Sequence, residues 1–306
     1  MGVIFNGSHR SPTPDPCSLA GKGPMSLTRT TEKRPQAEGR RHMHHRLFSW
    51  ARLAAGGALL AAALVGASTG AGAAPGQLHI AFVGDSMGDG LWGAMFRRLG
   101  KDKCLAARVK LIRHAKNGTG LTRLDQFNWV DEIASLGAAD PSPDLFVGSF
   151  GINDRQPIVE QDKTRIPFPG PAFDARYKTI VEDLVRNAIA KGASMLVLGL
   201  PIMLDADANA DAMAKNKIFA AAVDEVGSPR AVYAPPWTSQ PPPDEYKPFL
   251  PNAKNAMVQV RASDGIHFTT AGYDFVLDNF FPAILASLKL RGRDLESECP
   301  GQVGAR

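Results

Sequence analysis

From residue 77 onward, short apolar runs alternate with segments whose apolar positions recur every three or four residues. Residues 78–83 are almost continuously apolar, the pattern of a strand covered on both faces. Leu91, Trp92, Met95, Phe96 and Leu99 follow at helical spacing, and Gly100 is placed to end that helix. Residues 107–112 read as a second strand, 127–136 as a helix and 145–150 as a third strand. Phe173, Tyr177, Ile180, Val181, Leu184, Val185 and Ala188 form a clear amphipathic stripe, closed by Gly192. Residues 195–200 predict a fourth strand stopped by Pro201, and 208–226 a helix. A short fifth strand at 231–234 precedes a last helix at 271–288, which Pro282 should bend or divide.

Strand and helix in alternation imply a parallel sheet with helices on both faces. Right-handed crossovers then give a doubly wound α/β domain, a three-layer α/β/α sandwich on a five-stranded sheet. One such domain is expected over residues 75–295, with 296–306 as a flexible tail, and no repeat of solenoid or propeller period is visible. Two long connections, 155–171 and the Pro-rich 235–263, interrupt the rhythm. Connections of that length often build lids or binding walls, and the alternative is a packed surface crossing. Both adjoin candidate catalytic residues, so they read as the substrate-determining loops.

The first 74 residues have a different texture. Residues 1–42 are rich in Arg, Pro, Gly and Ser without sustained periodicity, which predicts a disordered extension or an over-long start ahead of Met43. Residues 43–74 run from His and Arg through an apolar, Ala/Gly-rich middle to Ala71-Gly72-Ala73, the order of a secretory signal peptide. An uncleaved membrane anchor is the alternative, for which the stretch is weakly hydrophobic. A periplasmic or secreted protein is therefore expected, touching membrane only through the leader if it stays attached.

This division changes the meaning of the charge. The chain carries 35 basic and 30 acidic residues, for a net +5. Residues 1–74 hold 9 of the basic and 3 of the acidic, so the remainder, with 26 and 27, is close to neutral. The basicity belongs to the leader and argues for no nucleic-acid partner. Cys104 and Cys299 remain after the leader and could pair in an oxidising compartment, although sequence supplies no distance. No zinc-type cysteine spacing occurs, and neither a metal nor a cofactor is expected.

The candidate chemistry follows the strand ends. Ser86, in Gly84-Asp85-Ser86, lies just past the first strand at a helix start, where free N–H groups and the helix dipole favour developing negative charge. A simple helix cap is the plainer role for Asp85 or Ser86. Gly118 follows the second strand, where a backbone N–H can approach a bound carbonyl closely. Asn153 follows the third and offers a side-chain amide to the same oxygen. Taken singly, each of these two is an ordinary turn residue. In a sheet of order 2-1-3-4-5 the three meet at the crevice beyond the first and third strands.

A serine hydroxyl needs a base. His79, His114 and His267 are the histidines beyond the leader. His79 lies at the far end of the first strand, about 20 Å from Ser86 at strand rise. His114 is on the correct edge but has no evident acid beside it. His267 has Asp264 three positions earlier on one loop, able to orient the imidazole and stabilise the imidazolium.

Ser86, Gly118, Asn153 and His267, with the Asp264-x-x-His267 pair, resemble in order the residues that name the SGNH (GDSL-type) hydrolase superfamily. The similarity spans residues 78–288, and Phe268-Thr269-Thr270-Ala271-Gly272-Tyr273 is similar to the family's usual sequel to the histidine. The resemblance implies a flavodoxin-like fold, a metal-free Ser86-His267-Asp264 triad, and an oxyanion hole from Ser86, Gly118 and Asn153. Met87-Gly88-Asp89-Gly90 departs from the commoner continuation after the serine and resembles an uncharacterised exported branch. The expected function is an exported serine esterase acting on small O-acyl esters of carbohydrate, with Trp237 and Tyr246, and also Phe249, available to stack on sugar rings. An O-acyltransferase and a non-catalytic envelope binding protein are the alternatives.

Overall fold

The computed structural model describes residues 76–235 and 245–300. The extension, the leader, Trp237 and residues 301–306 lie outside the described residues. The elements in chain order are β1 (Leu78–Gly84), α1 (Ser86–Lys101), α2 (Lys103–Arg108), β2 (Val109–Ala115), α3 (Trp129–Gly137), β3 (Leu145–Ser149), β4 (Ile158–Val159) and β5 (Arg165–Ile166). They continue with α4 (Pro171–Ile189), β6 (Ser194–Leu198), α5 (Ala206–Val226), β7 (Ala231–Ala234), β8 (Phe249–Pro251), β9 (Met257–Gln259), α6 (Thr270–Lys289) and α7 (Leu295–Glu298). The main sheet has five parallel strands in the order β2-β1-β3-β6-β7. This is the expected doubly wound three-layer α/β architecture.

The near-continuous apolar runs follow from burial on both faces. Ile80 and Phe82 of β1 enter a core with Met87, Leu91 and Met95 of α1 and Phe280, Phe281 and Ile284 of α6. The alternate residues Ala81 and Val83 enter a second core with Ile133 of α3, Tyr177 and Leu184 of α4 and Phe219 of α5. Every residue of the predicted stripe on α4 is buried.

Several boundaries differ from expectation. α1 runs through Gly100 to Lys101, because the stop is Asp102, whose side chain accepts from Leu105 N at 2.9 Å and opens the short α2. The second strand consequently starts at Val109 rather than 107. α6 continues unbroken past Pro282, with Phe280 and Phe281 before it and Ile284 and Leu288 after it all buried. The expected tail is packed at its start: Leu295 and Cys299 are buried, and Cys299 is bonded to Cys104 with 5.8 Å between Cα atoms. Arg293 grips Glu298 with two bonds of 2.8 Å, so residues 296–300 belong to the folded unit.

The two long connections have structure of their own. Within 155–171, β4 and β5 form an antiparallel ribbon with Ile158 and Val159 buried, and Val159 N donates to Thr122 O at 2.7 Å. Within 235–263, β8 and β9 form another, anchored by buried Leu250. Among the described residues no helix is long and apolar enough to cross a membrane.

Candidate active site

Gly84, the last residue of β1, pairs in register with Ala115 of β2 on one side and Ser149 of β3 on the other. Ser86, Gly118 and Asn153 therefore all lie just past one aligned row at the carboxyl rim of the sheet. Ser86 is the first residue of α1, and the preceding Asp85 caps that helix through Met87 N at 2.9 Å. The cap role weighed for Asp85 is thus real, and it leaves the Ser86 hydroxyl available. Gly118 sits at φ +76°, a turn conformation that favours glycine. The Asn153 amide donates from Nδ2 to Thr119 O at 2.8 Å, tying the third strand's loop to the second's.

The far side of the site comes from the loop before α6. His267 Nε2 lies 2.7 Å from Ser86 Oγ, across 181 positions of sequence. His267 Nδ1 lies 2.7 Å from Asp264 Oδ2, while Asp264 Oδ1 accepts the backbone N–H groups of Ile266 and His267 at 2.9 Å. Partial burial works to raise the Asp264 carboxyl, but those two amides and the imidazole win and hold it down at about 2. An ionised Asp264 takes the Nδ1–H, so Nε2 is left to accept the serine proton.

Sequence reasoning did not find the groups that hold these loops. Asp154, next to Asn153 and fully buried, accepts from Leu121 N (2.9 Å), Thr122 N (3.3 Å), Thr122 Oγ1 (2.9 Å) and the Tyr177 hydroxyl (2.7 Å). One carboxylate thus clamps the Gly118 loop to the Asn153 loop and to α4. Gly120 makes room for it, since a Cβ there would stand 1.9 Å from Asp154 Oδ1. Arg261, also buried, donates to Ile202 O at 2.7 Å and Ile266 O at 2.8 Å, bracing the Asp264–His267 turn. The unusual Gly90 of α1 lies under the Tyr273 ring, where a Cβ would come within 2.1 Å of the ring. That contact seats α6 on the serine helix.

The other candidates are placed as follows. Tyr246 lies over the Arg261 guanidinium at 4.8 Å, and Phe249 is exposed. His114 does have an acid, Glu132, whose Oε2 is 2.9 Å from its Nε2 across to α3, a partner that sequence did not reveal. His79 takes Asp144 on its backbone N–H at 2.8 Å, at the opposite end of β1. Among the described residues no group of His, Cys, Asp and Glu could hold a metal ion.

The sequence profile of a family described as "Protein of unknown function (DUF459)" matches residues 79–283. No curated protein matches the chain. Among solved structures, LAE5, an alpha/beta hydrolase enzyme from the metagenome of Lake Arreo, Spain, is similar at 16% identity and TM-score 0.47, covering 70% of this chain and 97% of that one. Axe2, an acetylxylan esterase from Geobacillus stearothermophilus, is similar at 16% identity and TM-score 0.47, covering 68% and 95%. A carbohydrate esterase family 3 protein from Talaromyces cellulolyticus is similar at 13% identity and TM-score 0.47, covering 71% and 100%.

Proposed function

Because the chain belongs to the DUF459 family, whose description names no reaction, we propose its function from the site itself: a serine esterase of the SGNH type. The observation that carries this is the unbroken line of hydrogen bonds Asp264–His267–Ser86, at 2.7 Å in both links. In the proposed reaction Ser86 Oγ attacks the ester carbonyl carbon while its proton passes to His267 Nε2. The carbonyl oxygen becomes an oxyanion facing the backbone N–H groups of Ser86 and Gly118 and the amide of Asn153. Collapse expels the alcohol, which takes the proton from His267 and leaves an acyl group on Ser86. Water, deprotonated by His267, then releases the acid and restores the hydroxyl.

Small O-acyl esters of carbohydrate are the proposed substrates, and the location is periplasmic or secreted. The leader pattern and the Cys104–Cys299 bridge support the second point. p-Nitrophenyl acetate turnover tests the reaction. Ser86→Ala should lower kcat by about 10³-fold or more and abolish labelling by a fluorophosphonate probe. Turnover that survives this substitution removes Ser86 as nucleophile, and a wild type that neither turns over nor labels favours the binding-protein alternative. Acylated sugar formed when oligosaccharide is added would identify a transferase.

A further inference from the structure

Lys215, on α5, is 3% exposed, and its ammonium forms neither a hydrogen bond nor an ion pair with any described residue. Its one close partner is the face of Phe168, 5.1 Å away. Asp154 and Asp211 act on it at longer range without forming an ion pair. Burial lowers its pKa from the ordinary lysine value. Placing a lysine in so buried a position without an ion pair is costly, and a methionine would fill a similar volume without that cost.

Lys215 lines a cavity of about 60 Å³, together with Ile152, Arg155, Leu200, Met203, Asp211 and Ile266. Arg155 is already neutralised, bonding Asp211 at 2.6 Å and lying 3.7 Å from Asp205. Among the charged residues of this lining, Lys215 alone forms no ion pair. The walls are otherwise largely apolar, and a single water takes about 10–15 Å³ of such space. The cavity thus suits a carboxylate on a short chain rather than a long acyl group. Two of its lining residues, Ile152 and Ile266, are the chain neighbours of Asn153 and His267.

We propose that this cavity is a carboxylate-binding subsite, so that the enzyme prefers esters bearing a second, free carboxylate that reaches Lys215. The proposal rests on the esterase assignment and deepens it. The carboxylate could sit on the acyl portion, as in a succinyl or glutaryl ester, or on the alcohol portion, as in an acylated sugar acid. In either case Lys215 supplies a charge-assisted hydrogen bond inside a low-dielectric pocket.

The test compares three esters on the wild-type protein: p-nitrophenyl acetate, mono-p-nitrophenyl succinate and 4-acetoxybenzoate. The expected result is a kcat/KM for one of the two carboxylated esters at least about tenfold above that for acetate, the ratio one charge-assisted bond supports. Whichever ester it is assigns the carboxylate to the acyl or the alcohol side. In Lys215→Met that ratio should fall by about tenfold or more. Should the variant fail to fold, inhibition of wild-type acetate hydrolysis decides instead: succinate or 4-hydroxybenzoate should inhibit at least about tenfold more strongly than its neutral amide. A wild type that hydrolyses all three esters with no preference for either carboxylated one overturns the subsite and leaves the esterase assignment standing. So does a preference that Lys215→Met leaves intact. No turnover of any ester defeats the esterase assignment itself.

Discussion

Asp85 stands one residue before Ser86 with its carboxyl fully buried. Its Oδ1 accepts from Met87 N, and its Oδ2 has no hydrogen-bond partner among the described residues. Burial pushes this carboxyl up to about 8; Asp154 adds to the rise, while the amides of Met87, Ile152 and Gly151 oppose it. An unfolded aspartate titrates near ~4. Between those two values the folded protein holds a proton that the unfolded chain has lost, so stability falls as pH rises from about 4 to about 8. Asp264 works in the opposite sense: held at about 2, it contributes stability above ~4 that is lost as pH falls through 2. Asp85 therefore governs the neutral range. Thermal midpoints of wild type should drop by several degrees between pH 5 and pH 8, and Asp85→Asn should flatten that slope; parallel profiles would refute the assignment. At this scale the sequence pointed to Ser86, Asp264 and His267 as neighbours, which the structure brings within hydrogen-bonding distance, because a strand end and one local turn suffice to single them out. It did not disclose Asp154, Arg261, Lys215 or the Glu132 partner of His114, whose meaning depends on atoms brought from other parts of the chain.

The loops that carry Gly118 and Asn153, the proposed oxyanion donors, are held as elements by one carboxylate. Asp154→Ala would strand the Leu121 and Thr122 amides and the Tyr177 hydroxyl in a buried place. Each such group costs about 1–3 kcal/mol, so a loss on the order of 3 kcal/mol or more is expected in urea unfolding. Gly120→Ala should displace the same carboxylate and lower kcat by up to about 10²–10³-fold, the scale of a lost oxyanion donor. A Gly120→Ala enzyme with wild-type kcat would show that the clamp does not position Gly118. Long elements were readable in advance because periodicity accumulates, as the wholly buried stripe of α4 shows. α2 and the two ribbons escaped notice, being only two to six residues each. Gly100 misled because glycine ends many helices, whereas the stop here comes from the Asp102 side chain.

Across the whole molecule, the Cys104–Cys299 bridge closes a loop of 195 positions. In the chain-entropy account, closing so long a loop restricts the unfolded state by on the order of 5 kcal/mol. Protein recovered from an oxidising compartment should show this link by peptide mass mapping and an amino terminus near residue 74. The Cys104→Ser/Cys299→Ser double variant should lose several kcal/mol in denaturant titration. Two free thiols in the exported protein would count against both the bridge and the proposed location. Doubly wound topology was legible from the alternation of runs, while the pairing of these cysteines was not, since no pattern along a chain reports a Cα separation.

The same clasp sits beside the first residues of the folded unit: Arg293 Nη1 donates to Gly76 O at 2.7 Å, and Cys104 lies just ahead of β2. The two ends of the described unit thus share the amino-end rim of the sheet, and Ser86 and His267 occupy the other rim, about 20 Å away at strand rise. A group joined directly at Gly76 or Pro300 would therefore start from the rim of the sheet opposite the mouth of the site.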